Sequence, residues 1–435
     1  MPARHFIFGW AALALGLTGA PDLQSADERQ CATAPRYVEL RNELDALNAK
    51  LDSLELQIAE LTEARARPEP AQAEPPAGKG VAGSAVAPDS VEYVLVGDAN
   101  ALCTDLRHVG SSYSLDYSPL FLVKATDRLL VEAGLDLSVS KEPGKEHLTL
   151  DKGLPHLNVS YAVSDYLLVG AGRFAAPFAI YRNHIDAPWV NKLPDDPLPF
   201  GDNGIAPGSV NGVFATGAFP VRRMRFNYAV YAVTAPHLVT TEPAAAGSLR
   251  FDGTNTFNFR AAGGRVGFQP VPELEVGYSL EGGKVSPDGF HQKVRALLQA
   301  MDLNYVRDFP SLRGKVTART EWVWSHVSRA TYDPTGTLGF GPLTSDNDRN
   351  GGYALLAYRP THSDNKVLKN LEFVLRYDRL SIPSKAPGGG TEWRWTPGLD
   401  YWITPSTVLK AAYVFDHNTN GPDQSGLMIQ FAIAF

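Results

Sequence analysis

Charged side chains recur two residues apart in stretches that are otherwise apolar: Arg223 and Arg225, Arg319 and Glu321, Arg376 and Asp378. Their neighbours include Met224, Phe226, Trp322, Leu375 and Tyr377. In an extended strand successive side chains point to opposite faces, so each charged pair shares one face and its apolar neighbours take the other. Charges arrayed in this way suit electrostatic sorting of solutes along a wet surface. They do not suit bond-making chemistry, because the chain has neither a Gly-x-Ser-x-Gly nucleophile elbow nor a His-Glu-x-x-His metal pair. The histidines are scattered, and Cys31 and Cys103 make no metal spacing or disulfide framework. The sequence therefore predicts no metal, no cofactor and no enzyme.

The predicted inward set extends these pairs. Its basic members are Arg128, Arg223, Arg225, Arg260, Lys315, Arg319, Arg376, Arg394 and Lys410; its acidic members are Glu132, Asp136, Asp302, Glu321, Glu372, Asp378, Asp400 and Asp416. The two signs nearly balance, which argues against a dedicated anion or cation filter. A long connection, 175–208, adds Arg182, His184, Asp186, Lys192, Asp195 and Asp196 as candidates for a constriction. Within this set Arg223 and Arg225 are the best local pair for an anion ladder, or equally two solvated residues beside a turn.

The elements that must position these residues are strands. Apolar alternation and turn residues place about sixteen of them between Glu92 and Phe435. Bulky residues occupy every second position in Leu427-Met428-Ile429-Gln430-Phe431-Ala432-Ile433-Ala434-Phe435. The connections alternate in length: tight ones at Ala125-Thr126-Asp127, Phe219-Pro220-Val221 and Thr404-Pro405, long ones at about 175–208, 235–255, 329–351 and 382–390. Short turns on one rim and long loops on the other are the layout of a transmembrane β-barrel. Both chain ends of such a meander fall on the short-turn rim and its strand number is even. The connection 360–370 is long for a tight turn and is the one misfit.

The remaining chain fits export. Residues 1–20 carry Arg4, a short apolar run and Thr18-Gly19-Ala20, the layout of a signal peptide. Tyr37, Leu40, Leu44, Leu47, Leu51, Leu54, Ile58 and Leu61 follow a strict three-four spacing, which predicts a coiled-coil helix over 35–66. Pro68, Pro70, Pro75 and Pro76 mark a Pro/Ala-rich linker over 67–90. The fold class expected is all-β, a transmembrane antiparallel barrel over 91–435 preceded by a short α-helical coiled coil. A formal net charge of −7 gives no basic footprint for nucleic acid.

The layout as a whole, and the stretch Leu167-Leu168-Val169-Gly170-Ala171-Gly172-Arg173-Phe174-Ala175-Ala176-Pro177-Phe178 in particular, resembles outer-membrane porins related to the phosphate-selective porins O and P. The likeness continues through Ala187-Pro188-Trp189-Val190-Asn191-Lys192-Leu193-Pro194-Asp195-Asp196-Pro197-Leu198-Pro199-Phe200 and Gly204-Ile205-Ala206-Pro207-Gly208. It implies a homotrimer in the bacterial outer membrane, in contact with its lipids, with the third external loop folded into the lumen. It also implies passive diffusion of small hydrophilic solutes or ions. The heptad helix would stand in the periplasm, aligning protomers or reaching peptidoglycan. The rival expectations are a tether whose closed barrel serves as an anchor, and a barrel hydrolase, for which the sequence shows no nucleophile or acid pair.

Overall fold

The computed structural model describes residues 91–435 apart from 202–203, 241, 243–245, 252–258, 288–293, 334, 337–338 and 340. The predicted signal peptide, coiled coil and linker lie outside the described residues. The chain divides into two units, Met1–Ala85 and Val86–Phe435, and the second is a sheet closed on itself.

Sixteen antiparallel strands form the barrel. Its first seven are β1 (Glu92–Leu106), β2 (Gly110–Lys124), β3 (Leu129–Lys141), β4 (Thr149–Ser164), β5 (Leu167–Ala175), β6 (Ser209–Val221) and β7 (Met224–Thr234). A small ladder of β8 (His237–Leu238) and β9 (Leu249–Arg250) interrupts the meander. The barrel resumes with β10 (Phe259–Val271), β11 (Leu274–Pro287), β12 (Val294–Phe309), β13 (Gly314–Tyr332) and β14 (Leu343–Arg359). It ends with β15 (Leu371–Ile382), β16 (Gly390–Thr404), β17 (Thr407–Asn418) and β18 (Gly426–Ala434). β7 pairs directly with β10, and β18 pairs with β1 from Asp98↔Ala434 to Leu106↔Gly426. Closure pairs the first strand with the last over 97–106, so the sheet has no open edge along that stretch.

The connection 360–370 does not change the count. It holds one short helix, Lys366–Asn370, whose first amides, those of Val367 and Leu368, donate to the Asn365 side chain at 2.9 and 3.4 Å. One long connection, expected at 329–351, is shorter than the sequence suggested, since β13 runs to Tyr332 and β14 starts at Leu343.

The polarity of the barrel is inverted relative to a soluble sandwich. On β18 the exposed residues are Leu427, Ile429 and Phe431, and the inward ones are Met428, Gln430 and Ala432. On β15 Phe373 and Leu375 face out, while Glu372, Arg376 and Asp378 are buried inside. An apolar exterior around a charged interior is the arrangement of a barrel that stands in lipid. Among the described residues no helix is long and apolar enough to cross a membrane.

Candidate functional site

The connection between β5 and β6, the third on the long-loop rim, folds inward and packs on the barrel wall. Its composition explains this. Phe178, Ile180, Tyr181, Ile185, Leu193, Leu198, Phe200 and Ile205 are all buried, and so much apolar surface could not stand in water as an open loop. The Tyr181 and Phe200 rings meet at a tilt of 38° with centroids 4.9 Å apart, and both meet the Tyr353 ring edge-on at 6.2 Å. A single π-type turn, Tyr181–Ile185, follows Ala179, which holds a left-handed φ of 56°. A β-carbon makes that conformation costly by about 1–2 kcal/mol, so neighbouring contacts must hold it.

Those contacts come from inward residues of the wall. The Ala179 amide donates to Ser279 Oγ at 2.9 Å, and the Ile180 and Tyr181 amides donate to Glu321 Oε2 at 3.0 and 3.3 Å. Glu321 also accepts from the Tyr353 hydroxyl. Further along, Lys192 pairs with Glu372 at 2.7 Å and Arg376 pairs with Asp195 at 2.7 Å. Lys410 donates to the carbonyl oxygens of Pro188 and Asn191. The loop is thus bound to β11, β13, β15 and β17, one side of the barrel.

The other side stays open to water. On β2 and β3 the inward Ser114, Asp116, Ser118, Glu132 and Asp136 keep part of their surface exposed. A cavity of about 1600 Å³ reaches from the short-turn rim to the loop, lined among others by Arg128, Glu132, His156, Asn158, His184 and Arg319.

The sequence candidates divide among these settings. Arg182 pairs with Asp186 at 2.9 Å and with Asp196 at 3.4 Å. With Lys192 and Asp195 also engaged, the charges of the loop largely neutralise one another or the wall. His184 lines the cavity, its basicity lowered by partial desolvation and by the nearby Arg265. Arg225 and Arg319 line the cavity. Glu321 and Arg376 are fully buried beneath the loop. Arg223 is not on a strand face: it sits exposed in the turn between β6 and β7, where Arg222 takes a left-handed φ of 57°. Arg260 belongs to β10, and its side chain lies outside the described residues.

Arg265 is among the charged groups that escaped the sequence reading. Arg265 binds Asp302 through Nη2 at 2.6 Å and Nε at 3.0 Å, and it also reaches Glu275 at 2.9 Å and Asn227 at 3.0 Å. Space for it comes from Gly277, where a β-carbon would fall 2.5 Å from both Arg265 Nη2 and the Asp302 carboxylate. Gly277 on β11 therefore makes room for this buried polar cluster. Among the described residues no cluster of His, Cys, Asp or Glu could hold a metal ion.

Fold and site together define a closed, water-containing antiparallel barrel with one loop docked inside. No protein-family model matches the sequence, nor does any curated protein. Among solved structures, the outer-membrane channel DcaP of Acinetobacter baumannii is similar over 79% of this chain and 97% of its own, with 10% identity and a TM-score of 0.49. An anion-selective porin from Comamonas acidovorans is similar over 80% of this chain and 100% of its own, with 14% identity and a TM-score of 0.46. OprB of Pseudomonas putida aligns over 79% and 94%, with 8% identity and a TM-score of 0.47.

Proposed function

We propose that this chain is a bacterial outer-membrane porin, a passive channel for small hydrophilic solutes or ions, narrowed by loop 175–208. The observation that carries this reading is the inverted polarity of a closed barrel whose interior holds a loop on one side and an aqueous cavity on the other. Paired charges along the loop and wall favour weak charge selectivity, because a neutralised pair exerts little field on a passing ion. A homotrimer embedded in outer-membrane lipid, with residues 35–66 as a periplasmic helix that aligns protomers or meets peptidoglycan, completes the proposal. The amount of lumen the loop fills keeps one alternative in view, a closed barrel acting as an outer-membrane anchor.

Single-channel recording in a planar bilayer under a salt gradient tests the two. Stable conductance steps are the expected result. Absence of current from folded, inserted protein would replace the channel with the anchor.

A pH effect follows from the loop. Burial pushes the Asp196 carboxyl up to about 6 against the opposing pull of Arg182. Acidification from about pH 7 to about pH 5 therefore adds one positive charge beside Arg182, since the carboxylate is lost as pH falls through its raised value. The reversal potential in a KCl gradient is expected to move toward anion preference with a midpoint near this pKa. In Asp196→Asn that movement should shrink.

A further inference from the structure

We propose that Arg376 is the positioning residue that sets the bore of the channel, an inference that rests on the porin reading above. Its side chain is fully buried on β15, beneath the inserted loop. Nε donates to Asp378 Oδ2 at 2.7 Å on its own strand. The other end of the guanidinium is spent on the loop: Nη2 on the Asp195 carboxylate at 2.7 Å and the Asp196 carbonyl at 3.3 Å, Nη1 on the Asp195 carbonyl at 2.9 Å. One rigid fork thus grips both the side chain and the main chain of the loop at a single point, which fixes position and direction together.

The surroundings make this grip hard to replace. Asp195 Oδ1, Asp378 Oδ1 and Thr396 Oγ1 are buried without a hydrogen-bond partner, and Thr396 stands directly across from Arg376 in the β15–β16 register. Arg394, the next cation, lies 3.9 Å from Asp195 and is engaged by Asp416 and Glu392. Two carboxylate oxygens here already lack a donor, and the uncharged Thr396 hydroxyl offers one proton against the four bonds of the guanidinium, so no neighbouring group can take over when Arg376 is lost. A lysine would keep the charge, but its single ammonium on a flexible stem cannot reach Asp378 and both Asp195 groups at once. Released at this point, the loop is free to lean into the open space along β2 and β3 or to move away from it, and in either case the cross-section changes.

Arg376→Lys tests the wall partner, and Asp195→Asn tests the loop partner while leaving every wall residue intact. The readouts are unit conductance, the size limit for neutral sugars in liposome swelling, thermal unfolding of the barrel, and hydrogen exchange over Tyr181–Phe200. Each variant is expected to change unit conductance on the order of twofold and to alter the sugar limit, because passage is set by the narrowest section. The double variant should add little, since both substitutions break one contact. Unchanged conductance in folded, inserted variants of a conducting wild type overturns the proposal. So does a lowered unfolding temperature as the sole effect, which would make Arg376 a stabiliser of the barrel. If the wild type carries no current, the porin reading fails by itself. Hydrogen exchange then decides the grip: unaltered loop protection in both variants overturns it.

Discussion

Replacing Glu321 with alanine is expected to undock the loop while leaving the barrel folded. Glu321 is fully buried and accepts the Ile180 amide, the Tyr181 amide and the Tyr353 hydroxyl. Alanine strands three buried donors at about 1–3 kcal/mol each. It also removes two of the three contacts that hold the backbone around Ala179 at its positive φ, leaving only Ser279 on the Ala179 amide, and a strained backbone relaxes more readily once partly unpinned. A total on the order of 3–9 kcal/mol follows from the three stranded donors. Hydrogen exchange in detergent should show protection lost from Phe178 to Phe200 and retained in β1–β4. Glutamine keeps an acceptor for the two amides but not for the tyrosine, so Glu321→Gln should fall between. Equal protection in Glu321→Ala and wild type would show that apolar packing alone docks the loop.

The second large effect separates the two faces of the wall. Leu375 faces outward near the middle of β15, and Ser118 faces inward on β2 across from Asp98. Leu375→Arg puts a guanidinium in the hydrocarbon and is expected to destabilise the folded protein by about 2–4 kcal/mol. Ser118→Arg puts the same group in water beside a carboxylate and should cost little. Chemical unfolding in phospholipid vesicles reads both, and equal costs would contradict the assignment of the faces.

Much of this architecture is legible in the sequence because a strand in lipid must keep one face apolar, residue after residue. β15 and β18 show the pattern plainly. The pattern fades where lipid no longer imposes it. Leu343-Thr344-Ser345-Asp346-Asn347-Asp348-Arg349-Asn350 is polar on both faces, so the first half of β14 reads as loop although it pairs with β13 as far as Tyr332↔Leu343. β8 and β9 are two residues each, too short for any period. The loop was legible from its length and position, but the use of its charges was not. Lys192 finds Glu372 and Asp195 finds Arg376 across 180 residues of chain or more, and only the closed barrel brings them together. Arg265 was hidden by Gly263, Gly264 and Gly267, which erase the alternation that would have assigned it a face.

The junction of β1 with β18 bears on how the molecule can be made. Gly97 and Phe435 exchange two main-chain hydrogen bonds of 3.0 Å, and the Phe435 ring stacks on Tyr117 at 5.5 Å. Every other pairing of the barrel joins strands that follow one another along the chain, apart from the β8–β9 detour, and can form as a local hairpin. This junction alone spans the whole unit, and contacts of such separation form late and slowly. Until β18 has been made and has met β1, both strands keep one open edge able to pair with other chains. The protein is therefore most open to edge-to-edge pairing with other chains before this junction closes.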